Sequence, residues 1–151
     1  MICPLLLVAL AAPPVAAQEV PFPPAAVMVG TVRVIDGDGL AFGQVQVRLR
    51  GIAAPEDSRR ETHPDGPAAS AALRELAQGQ EAICVLDGST ANRRAVGVCF
   101  VDGLDVGAAM VGGGWALDCP AYSGGMYAAA EAAARSAGRD LARTYVRPGY
   151  C

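Results

Sequence analysis

Between Thr31 and Arg50 the chain alternates apolar and polar residues twice, with a glycine-rich break between the two runs. In Thr31 to Ile35, Val32 and Val34 alternate with Thr31 and Arg33. In Val45 to Arg50, Val47 and Leu49 continue the face of Val45, opposite Gln46, Arg48 and Arg50. A period of two residues specifies strands that are buried on one face only. Asp36-Gly37-Asp38-Gly39 interrupts the pattern and Gly43 turns the chain back, so the segment is expected to form a β-hairpin with Arg48 on its solvent side. A loop then delivers Pro55-Glu56. A carboxylate suited to a metal (Asp38), a guanidinium (Arg48) and a second carboxylate (Glu56), this close in sequence, suggest phosphodiester chemistry.

The rest of the chain extends this β-rich start. Gln18 to Val29 is Pro-rich and is read as an extended lead-in. Asp57 to Gly66 is a polar, exposed loop whose His63 is expected to be solvated. Pro67 suits a first helical turn, and Ala68 to Ala77 forms an amphipathic helix with Leu73 and Leu76 inward, followed by Gly79. Two more strands, Ala82 to Leu86 and Ala95 to Val101, flank a polar loop. Leu104 to Val111 reads as a short strand end plus a small helix. Trp115, the single Trp, is expected to pack in the core or at its rim. A last helix, Tyr127 to Leu141, carries Glu131 and Arg135 as an i,i+4 pair. This order predicts an α+β fold: a small five-stranded OB-type β-barrel with about three helices, its fifth strand at Leu104 to Val106.

Composition narrows the function. The 151 residues carry a formal net charge of −3, so contact with a polyanion must come from a local basic cluster. All 12 basic residues are Arg, a bias that skewed genomic base composition explains as well as selection for phosphate binding does. Residues 1–17 combine an apolar run with small residues at Val15-Ala16-Ala17 and are read as a secretory signal, too short to span a bilayer. Export (periplasmic or extracellular) follows from that expectation. Beyond Cys3 in this leader, Cys84, Cys99, Cys119 and Cys151 suggest two disulfides, with three possible pairings. Cys84 and Cys99 could face each other across a hairpin, the alternative being two buried free thiols; by elimination Cys151 could tie back to Cys119. With no CxxC spacing and only His63 to join them, the cysteines are not expected to form a zinc site.

VIDGD, RLRGIAAPE, a helix opened by GPAAS, and NRRAVGVCFVDGLDV occur in this order. Together they resemble the staphylococcal nuclease (thermonuclease) family over about Gly30 to Leu141, which places a thermonuclease-like domain at 30–143 and a tail at 144–151. The resemblance implies a calcium-dependent OB-fold nuclease that hydrolyses phosphodiester bonds of DNA and RNA. It implies catalytic roles for Arg48, Glu56 and Arg94, and calcium ligation by Asp38 with Asp36 beside it. Arginine forks would hold non-bridging phosphate oxygens, a hard cation would neutralise the remaining charge, and Glu56 would orient or deprotonate water.

Several positions depart from the family pattern, among them Asn92-Arg93 where Tyr-Gly usually precedes Arg94, and Leu141-Ala142 near the place of a Trp that often follows the last helix. The calcium-ligating Asp before Pro-Glu is Ala53, its neighbour is Ala54, and the Thr after VIDGD is Gly39. Losing a carboxylate predicts weak calcium binding. Two functions follow: an exported nuclease of the thermonuclease type, or a non-catalytic OB module binding an oligonucleotide, a glycan or a protein.

Overall fold

The structure, a computed structural model, describes residues 19–151; the leader expected at 1–17, with Cys3, lies outside them. The fold is α+β. Two consecutive strands, β1 (Ala26–Thr31) and β2 (Arg33–Asp36), are halves of one extended run interrupted at Val32. The run bends there because the Val32 backbone bonds sideways: its N–H donates to the Gln80 carbonyl and its carbonyl accepts from Gly79. β1 pairs with β6 (Glu81–Ala91), whereas β2 pairs with β3 (Gly39–Phe42).

Between those ends the strand order is β1-β6-β7-β4-β3-β2, with β4 (Val45–Leu49) parallel to β7 (Arg94–Val101) and every other pairing antiparallel. Since the first and last members of that path are one continuous run, the sheet curls back on itself as an OB-like ring. A two-residue strand, β8 (Leu104–Asp105), adds to β7, and β5 (Ile52–Ala53) pairs separately with β9 (Leu117–Asp118).

The fifth strand of the ring is therefore β3, not Leu104 to Val106. Asp36-Gly37-Asp38 makes the whole turn, and the run after it is too short to show alternation although Leu40 and Ala41 are buried. Part of the Pro-rich lead-in also joins the sheet: Ala26 to Val29 pair with Ile83 to Leu86. Val20 and Phe22, further upstream, cover a small outer core of Val85, Val98 and Phe100.

Among the described residues four helices occur where about three were expected. α1 (Gly66–Ala77) starts with Pro67 in its first turn and plugs the barrel with Ala69, Leu73 and Ala77. α2 (Val106–Gly112) is capped by Asp105, whose carboxylate accepts the Ala108 N–H at 3.1 Å. α3 (Pro120–Ser123) is one turn, and α4 (Ala128–Ser136) is shorter than expected because Gly138 adopts a left-handed φ of 81°. A 3₁₀ turn, Leu141–Arg143, follows. The main core joins Val32, Val34, Leu40, Val47 and Leu49 of the barrel to Leu73, Met110 and Tyr127 of the helices. Trp115 sits at the rim, 40% exposed.

Among the described residues two disulfides are present. Cys84 and Cys99 are direct partners across the β6–β7 ladder, 4.0 Å apart at Cα, and Cys119 bonds Cys151, pinning the chain end. No helix among the described residues is long and apolar enough to cross a membrane.

Replacing Cys84 and Cys99 together by Ala should lower unfolding free energy by about 3 kcal/mol, the chain-entropy value for the 15-residue loop they close. Urea unfolding under non-reducing conditions measures it. An unchanged midpoint would mean that this bridge does not constrain the unfolded chain.

Candidate functional site

The site lies where the β2–β3 turn, β4 and the β6–β7 hairpin meet. Gly37 lets the turn pack down: a Cβ there would lie 2.9 Å from the Ala54 Cβ and 3.0 Å from that of Ala69. Asp38 follows, its N–H donating to Asp36 Oδ1 at 3.3 Å and its carbonyl accepting from Leu49 N at 2.8 Å. Arg48 lies opposite Gly39 in the β3–β4 register. Arg94 opens β7 after a two-residue turn in which Asn92 and Arg93 both have positive φ, 50° and 63°, the geometry that matches hairpin twist.

These elements converge on one carboxylate. Arg48 Nη1 lies 2.9 Å from Asp38 Oδ2, and Arg94 Nη1 lies 3.3 Å from Asp38 Oδ1 and 4.0 Å from Asp36 Oδ2. Arg48, expected on an open solvent face, has only 16% of its side chain exposed. Its outward face is the floor of a cleft, and a one-sided alternation pattern cannot distinguish a cleft from bulk water. Asp38 is buried at 6% exposure. Burial raises its pKa to about 6 and Asp36 and Glu56 add to that, against the opposing pull of Arg48 and Arg94. Burial also opposes charge on Arg48, but Asp38, Tyr150 and Glu56 hold its pKa above the ordinary value.

Gly39 is part of this arrangement. A Cβ at Gly39 would come 2.6 Å from Asp36 Oδ1 and 3.5 Å from Arg94 Nη1. The missing Thr thus makes room for the carboxylate–guanidinium cluster that fills the turn.

Glu56 reaches the same cleft from the loop after β5. Its carbonyl accepts the His63 N–H at 2.8 Å, and Gly66 packs so closely that a Cβ there would fall 2.0 Å from the Glu56 oxygen. Its side chain is exposed, and among the described residues it has no hydrogen-bond partner. His63, expected to be solvated, is instead partly buried: Nδ1 accepts the Asp65 N–H and the ring meets Tyr145 edge-on at 5.2 Å.

A cleft of about 460 Å³ contains Arg48, Arg94 and Glu56 together with Arg50, Tyr122 and Tyr150. The last two were not foreseen. Tyr150 belongs to the tail after the 3₁₀ turn, and its hydroxyl accepts from Arg48 Nη2 at 3.5 Å. The tail is fixed along its length. Thr144 Oγ1 donates to Asp65 at 2.6 Å, Tyr145 Oη donates to the Ala54 carbonyl at 3.1 Å, and Arg147 reaches the Asp118 carbonyl and Glu131. The one available signal was Cys151, which marks a pinned terminus.

These residues are a poor donor set for calcium, which takes 6–8 oxygens. Both Asp38 oxygens face guanidiniums, Tyr145 occupies the Ala54 carbonyl, and Ala53 and Ala54 offer no side-chain oxygen. The space bounded by Asp36, Asp38, Ala54 and Glu56 has no room for a water-sized sphere. Among the described residues no three His, Cys, Asp or Glu side chains converge as a metal cluster.

Two similarities to known proteins bear on this geometry. The family described as Staphylococcal nuclease homologue matches residues 46–142, a segment that carries Arg48, Glu56 and Arg94. The Succinoglycan biosynthesis protein ExoI of Rhizobium meliloti (strain 1021) is 32% identical over 124 residues, covering 77% of this chain and 65% of that protein. The chain thus spans about two thirds of that relative's length.

The raised pKa of Asp38 has a stability consequence with a definite sign. The folded state keeps the proton up to about pH 6 whereas an unfolded Asp loses it near 3.8, so ionisation costs the fold stability as pH rises through that window. About two pKa units correspond to about 3 kcal/mol. Wild-type stability minus that of Asp38→Asn should therefore fall by up to that amount between pH 4 and 7, measured by urea unfolding. A difference that grows with pH would mean that the two arginines outweigh burial.

Proposed function

This chain belongs to the staphylococcal nuclease homologue family, and we propose that it hydrolyses phosphodiester bonds of DNA or RNA without depending on a tightly held calcium ion. The observation that carries this reading is the convergence of Arg48, Arg94 and Glu56 on one cleft of about 460 Å³. Two planar forks facing a common point suit the non-bridging oxygens of a phosphodiester. On entry, the phosphate takes over the guanidinium positions that Asp38 satisfies in the unliganded protein. Glu56, exposed and without a hydrogen-bond partner, then orients a water and accepts one of its protons. The water oxygen bonds to phosphorus, the opposite P–O ester bond breaks with its electron pair, and the leaving oxygen is protonated from solvent. As charge builds on the phosphorane oxygens, Arg48 and Arg94 stabilise it more strongly than they stabilise the ground state.

Calcium is given no step because both Asp38 oxygens face guanidiniums and positions 53 and 54 offer no side-chain oxygen. The two disulfides suit an oxidising compartment, and we place the protein outside the reducing cytosol, with residues 1–17 as its export signal.

A second reading is a binding module that does no chemistry. It is favoured by the pairing of both arginines to Asp38 and by Ala53 in place of an acid. The relative named for succinoglycan biosynthesis makes a glycan the alternative polymer.

The test is cleavage of DNA and RNA by the oxidised protein in EDTA and in Ca²⁺, Mg²⁺ or Mn²⁺, beside Glu56→Gln and Arg48→Ala. Activity should persist in EDTA, and each substitution should lower kcat by roughly 10²-fold or more. Cleavage abolished by EDTA and restored by calcium would overturn the metal assignment. Activity indifferent to both substitutions would remove the site. Oligonucleotide or glycan binding without cleavage would establish the second reading.

A further inference from the structure

We propose that the disulfide-pinned tail completes the binding cleft, with Tyr150 serving as a platform for the planar base attached to the bound phosphate. This rests on the phosphate seat of the previous section and adds a ring subsite beside it. Tyr150 lies beyond residue 142, where the family match ends.

Four observations support it. First, Tyr150 lines the same cleft as Arg48 and Arg94, and its hydroxyl is 3.5 Å from Arg48 Nη2, so its ring stands next to the phosphate position. Second, the ring is accessible: Tyr150 is 55% exposed and Tyr122 50%, an unusual amount of aromatic surface to leave unburied. Third, the two rings are already arranged as a pair, with centroids 6.4 Å apart and planes at 64°. Fourth, the tail is held by more than the Cys119–Cys151 bond. The Cys151 carbonyl accepts from Ala121 N at 2.9 Å, and Arg147 Nη2 lies 2.6 Å from Glu131 Oε1. Glu131 is itself buried and accepts from Asp118 N at 2.8 Å.

An aromatic ring fixed beside a guanidinium fork matches a nucleotide, whose base stacks while its phosphate is gripped. A bare polyanion makes no use of the ring. The tail therefore confers preference for a base-bearing phosphate, and the Cys119–Cys151 bond preorganises that preference by removing the freedom of the chain end.

Calorimetric titration of the oxidised protein with deoxyadenosine 5′-monophosphate and with 2-deoxyribose 5-phosphate tests the subsite, since the two differ only in the base. Wild type should bind the nucleotide tighter by roughly 5- to 150-fold, the range for one stacked base. Tyr150→Ala should reduce that ratio to near one. Tyr150→Phe should keep most of the ratio, which a purely hydroxyl-mediated role would not allow. Cys119→Ala with Cys151→Ala, checked for folding by its melting curve, should give a ratio between those of wild type and Tyr150→Ala, because the tail keeps its other contacts.

Equal binding of the two probes by wild type, or a ratio that survives Tyr150→Ala, would overturn the platform. Tighter binding of both probes by Tyr150→Ala would overturn it in another way, by identifying the tail as a plug. If neither probe binds, the phosphate seat is absent and the platform falls with it. A base preference that follows Tyr150 in a protein that cleaves neither DNA nor RNA would support the platform while removing the hydrolase reading.

Discussion

A single buried carboxylate, Asp38, ties together three separate pieces of the barrel. It stands in the β2–β3 turn, one guanidinium reaches it from β4, and another from the start of β7. Removing two arginines and an aspartate from water is expensive, and the attraction between them offsets that cost only in part, as the upward shift of the Asp38 pKa indicates. The same cluster orders the strand ends, with burial raising the Asp38 pKa while Asp38 holds that of Arg48 up. A phosphodiester presents the same single charge on two non-bridging oxygens and can take the carboxylate's place, and the charge that builds on those oxygens in the transition state makes it the better partner for two forks. Structure and proposed activity depend on this one interaction in opposite ways: it is kept at rest and exchanged on binding.

The cluster also accounts for the departures from the family pattern as a connected set. Gly39 removes the Cβ that would press on Asp36, and Ala54 allows Gly37 to pack close beneath the turn. Tyr145 takes the Ala54 carbonyl from a tail anchored by Cys151. Arginine and tyrosine hydroxyl thus occupy the Asp38 oxygens and the Ala54 carbonyl, beside a position 53 that has no side-chain oxygen.

What could be read from the residues followed the range of the interactions involved. Strands β2, β4 and β7 were legible because alternation is a local consequence of the pleat. The Cys84–Cys99 contact was within reach because it spans a single hairpin. β3 was missed because its short run follows directly on the turn. The lead-in looked irregular because proline dominates Pro21 to Pro24, although the residues just after it have the backbone freedom to pair with β6. The site residues Arg48, Glu56, Arg94, Asp36 and Asp38 could be named from motif order. That Asp38 sits between the two arginines could not, since it depends on where β4 meets β7 in a parallel pairing of distant segments. Tyr145 and Tyr150 were hidden for the same reason: their partners lie 91 and 102 positions away in the chain.

The exchange of Asp38 for phosphate can be observed directly by NMR of protein labelled at arginine side chains and aspartate carboxyls, titrated with a short single-stranded oligonucleotide at pH 7. The account predicts that the Nε–H signals of Arg48 and Arg94 and the Asp38 carboxyl carbon shift together along one binding curve, as the guanidiniums leave the carboxylate. Binding that leaves all three signals in place would contradict it, because the polymer would then be held elsewhere and the buried cluster would be only a structural tie.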